Sequence, residues 1–478
     1  MKREELIDEM WKVDDQTFLR FLMGNNEKYN LAKYFFHTHT DYGSPKDAIL
    51  TAKQYVTVAK EMGAKAISIT DHGTMYGVIP LYNECVEAEL KLILGVEFYV
   101  CDTIEDKKRS KHTRLHLCGY AVNPQGYKAL ANMVTLSNNR VISFKSKDVN
   151  GNATSIMYPC ISKKILENVI GPGTPGHGNV ILTSACISGV LTGLAKANEE
   201  NKKNLELVKN HVDSGRKAMD MLLFTEKALD QIEKDKEVYT ALAKKNYKKR
   251  RQALAKNPNP EEEAALAKEE EESKEATQKL KELQGLRKEA KSKNTAAQKE
   301  LDSLTKIKFC DMESFKRYLA SEEKEVKALE SEIIPTEKLA SQFEKEALWY
   351  DNLAGHGNWY IEIQNHHMDE EKLFMPALVE IAHKHHIPLI AANDAHMAKK
   401  EDCIARKFVN SLRFNKWEEP SIADKEVYLK DDVSLFKILA EIVGNQAAWE
   451  AMKNREIIAN RCNCQLTKEP RYPKFTEA

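Results

Sequence analysis

The sequence predicts an α/β fold in which short strands alternate with helices and one long, highly charged helical segment is inserted. Three observations carry this. Apolar-rich runs of four to seven residues recur (AKAISITDHG, LKLILGVEFYV, TRLHLCGYAV, NVILTSACISG, NWYIEIQNH and IPLIAANDAH), each ending in a polar or glycine-bearing tip. Helical patterns lie between them, at 46–62, 75–88, 123–137, 162–169 and 370–385. From 201 to 350 the texture changes: only Gly215 and Gly285 of the 20 glycines fall there, and runs such as EEEAALAKEEEESKEATQKLKELQGLRKEAKSKNTAAQKELDSL are strong helix formers. The alternation fits a barrel or a wound sheet. In either, ligand chemistry sits at the carboxyl ends of the strands.

Composition bounds the rest. A chain of 478 residues suits two or three units rather than one. Lys+Arg is 72 and Asp+Glu is 72, which excludes a protein held on nucleic acid by bulk charge but not one with a local basic face. Hydrophobic residues, at 42%, allow a sizeable core. No apolar stretch reaches the roughly 18 residues of a membrane-spanning helix, and the acidic, amphipathic start is no signal peptide. Nine scattered cysteines, an odd number, point to reduced thiols in a cytoplasmic setting.

The expected organisation is a helical extension over 1–30, a first barrel part over 31–197, a charged insertion over 198–345, and a last barrel part with C-terminal helices over 346–478. Within the insertion Leu280, Leu283, Leu286, Leu301 and Leu304 recur at helical steps, and Asn257-Pro258-Asn259-Pro260 breaks the run. Two or three long helices folded back as an antiparallel hairpin, a marginal coiled coil, account for this. The insertion reads as a solvated arm without chemistry. The alternative is docking on a protein or DNA through Lys244, Lys245, Lys248, Lys249, Arg250 and Arg251, although the neighbouring acidic run can offset that charge.

The strand tips are the informative part. His37 and His39 follow an apolar run, and residues i and i+2 of a strand share a face. The other tips carry Asp71-His72, Glu97, Cys186 and the pair Asp394 and His396, and His116 lies inside an apolar strand. Singly, each has a dull explanation. Recurrence at six successive strands does not follow from packing, whereas metal binding needs it. Imidazoles, carboxylates and one thiol suit zinc, manganese or iron, and eight or nine ligands are too many for one ion, so two or three are implied, with Glu97 as a bridge. Closely spaced cations point to hydrolysis of a phosphate ester.

FFHTHTDYG, AISITDHGTMYGVIPLYNEC, LILGVEFYV, RLHLCGYAVNPQGYKALANMVTLS, ILTSACISG, WYIEIQNHHMDEEKLFMPALVEIAHKHHIPLIAANDAH and YPKF, in this order, resemble the PHP (polymerase and histidinol phosphatase) family, above all the PHP domain of bacterial DNA polymerase III alpha subunits. The resemblance covers about residues 31–197 and 346–475. It implies a distorted, TIM-like, seven-stranded β/α barrel with two or three divalent ions. It also implies the ligands His37, His39, His72, Glu97, His116, Cys186, Asp394 and His396, of which His37, His39, His72, Glu97, Asp394 and His396 would carry catalysis. A further acidic ligand maps to Asp47, with spacing one residue longer than the family pattern, and Asp41 is the fallback. The implied activity is metal-dependent phosphodiester hydrolysis, as a 3′–5′ proofreading exonuclease. The implied partners are DNA 3′ ends and, through the insertion, a polymerase subunit or other replication proteins, with no membrane. No Gly-Asp-x-Asp palm motif is present, so this polypeptide is not expected to polymerise DNA alone; it would be a stand-alone or split protein or a fragment of a larger polymerase. The competing functions are a histidinol-phosphatase-like phosphomonoesterase and a non-catalytic scaffold.

Weaker candidates complete the reading. His366 and His367 are placed beside the metal mouth, His366 either as a substrate or supporting contact or as part of a solvated loop. Asp71 is expected to orient its loop. Arg114, Lys111 and Arg406 are candidates for phosphate contact. His383, His385 and His386 suit a helix C-terminus. Cys462 and Cys464 are too few for a zinc site, and Tyr42 and Tyr76 are expected to pack rather than stack on a base.

Overall fold

The computed structural model describes residues 3–24, 26–101, 114–139, 142–147, 153–244, 247–308, 310–414 and 417–466. The chain divides into two compact units, Met1–Glu199 with Ile334–Ala478, and Glu200–Ile333.

The first unit is built on a curled sheet. Its strands are β1 (Tyr34–Phe35), β2 (Ala66–Ile69), β3 (Lys91–Cys101), β4 (Leu115–Ala121), β8 (Val180–Thr183), β9 (Trp359–Ile363) and β10 (Leu389–Ala391), in that spatial order, with β7 (Cys160–Ser162) beside the end of β3. A separate hairpin pairs β5 (Ile142–Lys147) with β6 (Ala153–Tyr158). Pairing is parallel except around β4, which runs antiparallel to both neighbours. The curl brings the two edges together: the His39 N–H donates to Ala395 O at 2.8 Å and the Ala395 N–H to His37 O at 3.0 Å. The strands are short and buried along both faces, as parallel strands covered by helices must be.

The helices start where the sequence offers a cap. Thr51 and Gln54 form a capping box for Ala52–Glu61, Asn123 caps Pro124–Asn138, and Ser162 caps Lys163–Ile170. The first of these begins later than the 46–62 pattern predicts, because residues 41–47 are occupied as turns. The C-terminal helix Asp432–Arg461 is pinned to β1 by a buried pair: Arg455 lies 2.9 Å from Asp432 and donates to Tyr34 O at 2.9 Å. A pair of this kind contributes register more than net stability.

The second unit holds the charged helices. Gly193–Ala243 runs into it, followed by Lys248–Leu254, Pro260–Thr305 and Met312–Glu332. Asn259 caps the third of these with Pro260 in its first turn, which explains the break in the sequence. Thr225 with Asn294, Glu233 with Arg287, and Ala243 with Ser273 step in opposite directions along the two long helices, so these are antiparallel. Val212, Leu222, Leu301, Phe315 and Leu319 form a local core where the shorter fourth helix joins them. Leu286 is 53% exposed and does not continue the expected seam. Arg250 and Arg251 each lie 3.0 Å from a carboxylate, Glu269 and Glu270, so these two members of the basic cluster are offset locally. Lys245, also named in that cluster, lies outside the described residues.

Where the chain leaves and re-enters the first unit, the Asn198 side chain donates to Ile334 O at 3.0 Å and accepts from Ile334 N–H at 2.6 Å. Joining residue 200 to residue 334 through a short glycine-serine link should therefore leave the first unit folded. Circular dichroism should show cooperative unfolding of the shortened chain. An unfolded product would refute the independence of the unit.

Candidate metal centre

Each tip delivers its side chain to one place. His37 and His39 leave β1 with both rings buried, His37 in left-handed backbone at φ 54°. His72 follows β2, Glu97 lies within β3, His116 within β4, Cys186 just after β8, and Asp394 and His396 just after β10. Glu97 is the hub. Its carboxylate lies 3.2 Å from His37 Nε2, 3.6 Å from His39 Nε2, 2.6 Å from His72 Nδ1 and 2.9 Å from His116 Nδ1. Asp394 Oδ1 is 3.2 Å from His37 Nε2 and 3.0 Å from His39 Nε2. Asp47 Oδ2 is 3.1 Å from His72 Nε2 and 3.7 Å from His396 Nε2. Cys186 Sγ is 3.7 Å from His116 Nδ1. The structure thus brings together the nine side chains named from the sequence, Asp47 among them.

The donor set fits cations. His37 Nε2, His39 Nε2, His72 Nδ1, Glu97 Oε2, Asp47 Oδ1 and Asp394 Oδ1 are buried and make no hydrogen bond among the described residues. Apart from Asp47 Oδ1 they face one another at the distances given above, a packing of acids and imidazoles that cations can take over. Behind the rings the opposite nitrogens are held: His37 Nδ1 faces Glu362 Oε1 at 2.5 Å, His39 Nδ1 faces Ser44 Oγ at 3.2 Å, and His396 Nδ1 donates to Asp394 O at 2.7 Å. Metal-binding imidazoles are oriented in this way, with the second nitrogen committed to a carboxylate, hydroxyl or backbone oxygen. His39, His72 and His396, then His37, His39 and Asp394, then His72, Glu97 and His116 each place three ligand atoms within reach of one ion.

Electrostatics agree. Burial opposes the charge on Glu97, yet His116, His72 and His37 hold its carboxyl well below the usual range. Burial likewise opposes charge on Asp394, and His37 and His396 hold it well below. Burial opposes the charged form of His37, and Cys118, Glu362, Asp394 and Glu97 lift it well above the ordinary value. Burial and the nearby His39 push His396 down to about 3. A pocket of charged acids and closely packed imidazoles is one whose protons a cation can displace.

Other candidates fall into place. Asp71 accepts from Thr40 N–H at 2.7 Å, Thr40 Oγ1 at 2.8 Å and Ser44 Oγ at 3.0 Å, so it orients the His39 loop. Gly77 is required there: a Cβ would meet Asp71 Oδ2 at 2.3 Å. Arg406 donates to Asp47 O at 2.7 Å and lies 3.3 Å from Asp424, so it is tied to the segment that carries Asp47. Arg114 stacks over Tyr158 at 3.8 Å, and Lys111 lies outside the described residues. His366 is buried against Glu371 at 2.7 Å, whereas His367 is partly exposed and 3.9 Å from Glu441. His383 and His385 pair with Glu450 and Glu344. Cys462 and Cys464 are buried in apolar clusters. Tyr42 and Tyr76 are 64% and 69% exposed, so the expectation that they pack is not met. Sequence reading missed Glu362 and Cys118, which join His37 in a fully buried cluster. The signal for Glu362 was a lone charge inside the apolar run WYIEI, and for Cys118 a position two residues after His116, on the same strand face.

Residues 36–223 match the PHP domain family. That span holds His37 to Cys186, and Asp394 and His396 lie beyond it. DNA polymerase III subunit alpha of Campylobacter jejuni is 34% identical over 153 residues, 32% of this chain and 11% of that one. The same subunit of Helicobacter pylori is 33% identical over 184 residues, 37% of this chain and 13% of that one. The chain therefore matches only about an eighth of these relatives' length. Among solved structures, a protein from Bifidobacterium adolescentis described as a metal-dependent phosphoesterase aligns at 22% identity over 23% of this chain and 34% of its own, with a TM-score of 0.18, too low to carry an argument.

Glu362 gives a direct test. It holds His37 and also accepts from Thr183 Oγ1 at 2.6 Å. Glu362→Gln should weaken Mn²⁺ binding, measured by equilibrium dialysis, by about 10–100-fold. Wild-type affinity in a folded variant would show that His37 needs no such support.

Proposed function

From the PHP domain that this chain carries, we propose that it is a metal-dependent phosphodiester hydrolase acting as a 3′–5′ exonuclease on DNA. The observation that supports it most is the convergence, from separate strand tips, of buried acid and imidazole atoms that make no hydrogen bond among the described residues. His37, His39, Glu97 and Asp394 would hold one part of a two- or three-ion centre, with His72, Asp47 and His396 on one side and His116 and Cys186 on the other. Zinc, manganese and iron suit this mixture of imidazole, carboxylate and thiol. Bound cations would polarise a phosphoryl oxygen, lower the pKa of water and stabilise the leaving oxygen. The chain's own task is orientation. Glu362 fixes the ring of His37, Ser44 that of His39, and the Asp394 carbonyl that of His396. Preset ligands of this kind need no rearrangement as charge develops.

The similarity to replicative polymerase subunits supports DNA as substrate and a replication protein as partner, with a cytoplasmic location. Among the described residues no helix is long and apolar enough to cross a membrane.

The test is trimming of a 5′-labelled primer with Mn²⁺ or Zn²⁺. Ladder products should appear, vanish with chelator, and fall by roughly 10³-fold in His37→Ala and Asp394→Asn, the several kcal/mol that a metal contributes. A metal-loaded protein that leaves the primer intact would overturn the exonuclease reading.

A further inference from the structure

Asp394 holds its place at a conformational cost. It has a left-handed backbone at φ 47°, which a residue with a side chain keeps only where its surroundings impose it. Its backbone also matters twice over, because the Asp394 carbonyl accepts from His396 Nδ1 at 2.7 Å and so aims the His396 ring. Whatever fixes the Asn393–Asp394 peptide therefore sets two candidate ligands together.

That peptide is gripped from two sides. His366 Nε2 lies 3.0 Å from Asn393 O. On the other face, Asn393 Nδ2 donates to Glu426 O at 3.0 Å and Tyr428 O at 2.6 Å. His366 is itself held rigidly. Its Nδ1 lies 2.7 Å from Glu371 Oε1, and its backbone N–H donates to Glu371 Oε2 at 2.6 Å. Glu371 also accepts from Met368 N–H at 3.2 Å and stands in the first turn of the helix Asp369–His385, where a carboxylate is favoured. His366 is 4% exposed and Glu371 fully buried. The link thus runs from a helix start, through the imidazole that follows β9, to the tip of β10.

We infer that His366, braced by Glu371, is a positioning residue that fixes the Asn393–Asp394 backbone and thereby presets Asp394 and His396 for a divalent cation. This rests on the metal-centre reading above. It gives a role to a buried ion pair that lines none of the three ligand groups and would otherwise be an unexplained desolvation cost in the barrel.

The experiment is Mn²⁺ titration of the full chain, followed by the electron paramagnetic resonance signal of free Mn²⁺, with thermal unfolding of the metal-free protein beside it. His366→Ala should weaken one class of Mn²⁺ sites about 10–100-fold. The isosteric Glu371→Gln, which keeps the shape if His366→Ala fails to fold, should weaken the same class by less. His366→Ala/Glu371→Ala should bind no worse than His366→Ala alone, since the two act in series. Phe315→Ala, a buried core change in the second unit, should lower unfolding temperature without moving Mn²⁺ affinity. A folded His366→Ala or Glu371→Gln that binds Mn²⁺ as wild type does would overturn the inference. Wild-type protein that binds no Mn²⁺ would instead overturn the metal-centre reading, and this inference with it.

Discussion

One buried carboxylate organises the barrel. Glu97 is fully buried and lies within 3.6 Å of four imidazoles, His37, His39, His72 and His116. Removing an ionised acid from water costs several kcal/mol unless partners restore its interactions. Those partners come from β1, β2 and β4 and their tips, so the demand can be met only when the sheet has curled. The same demand explains strain at the mouth. His37, Ala185 and Asp394 adopt φ of 54°, 59° and 47°, each worth about 1–3 kcal/mol, and each adjoins or supplies a converging group. Strain at three separate strand ends is tolerated because tight hydrogen bonding behind them leaves no easier alternative.

Behind the converging atoms stand three further carboxylates with one task each. Asp71 holds the loop of His39, Glu362 holds the ring of His37, and Glu371 holds His366. None reaches outward to solvent; Asp71 and Glu362 fix the two histidines of the β1 tip, and Glu371 acts on the β10 tip through His366. This is also where overall composition misleads. The chain is neutral as a whole, yet acids and imidazoles are concentrated at one end of the sheet, where bound cations would set a local field that the net charge does not report. Much of the remaining charge lies in the second unit, as exposed pairs such as Lys234 with Asp230 and Lys279 with Glu282, which contribute little individually. That unit is held instead by the small apolar cluster around Phe315 and Leu301.

The parts of this arrangement that were legible in the sequence have local signatures. A strand ending in histidine or acid is a pattern of six or seven residues, and it recurred often enough to mark the converging tips. The Asn-Pro break and its cap were equally local. What escaped were relations between distant segments. Glu362 and His37 are 325 residues apart, so no spacing connects them. His366 was placed near the mouth, but its partner on the β10 side, Asn393 O, is a backbone atom without sequence identity. Nothing in the segment around Arg406 shows that it is held by Asp47 O, 359 residues away. Helical periodicity predicted a start at residue 46, six residues before the true one at Ala52, because the turns within 41–47 are held to Asp71 by tertiary hydrogen bonds, which outweigh propensity. The exposure of Leu286 has the same origin: periodicity sets a helix, and the partner surface decides which positions are covered.

The central claim is that the buried acid and imidazole atoms gathered at the tips are cation ligands. Diffraction from crystals grown with Mn²⁺, with anomalous difference maps collected near the manganese edge, tests it most directly. The account predicts two or three strong peaks enclosed by Glu97, Asp394, Asp47 and the facing imidazoles, with His37 Nδ1 still against Glu362. Maps without peaks in this pocket, while Glu97 and the imidazoles bond only to one another, would contradict it.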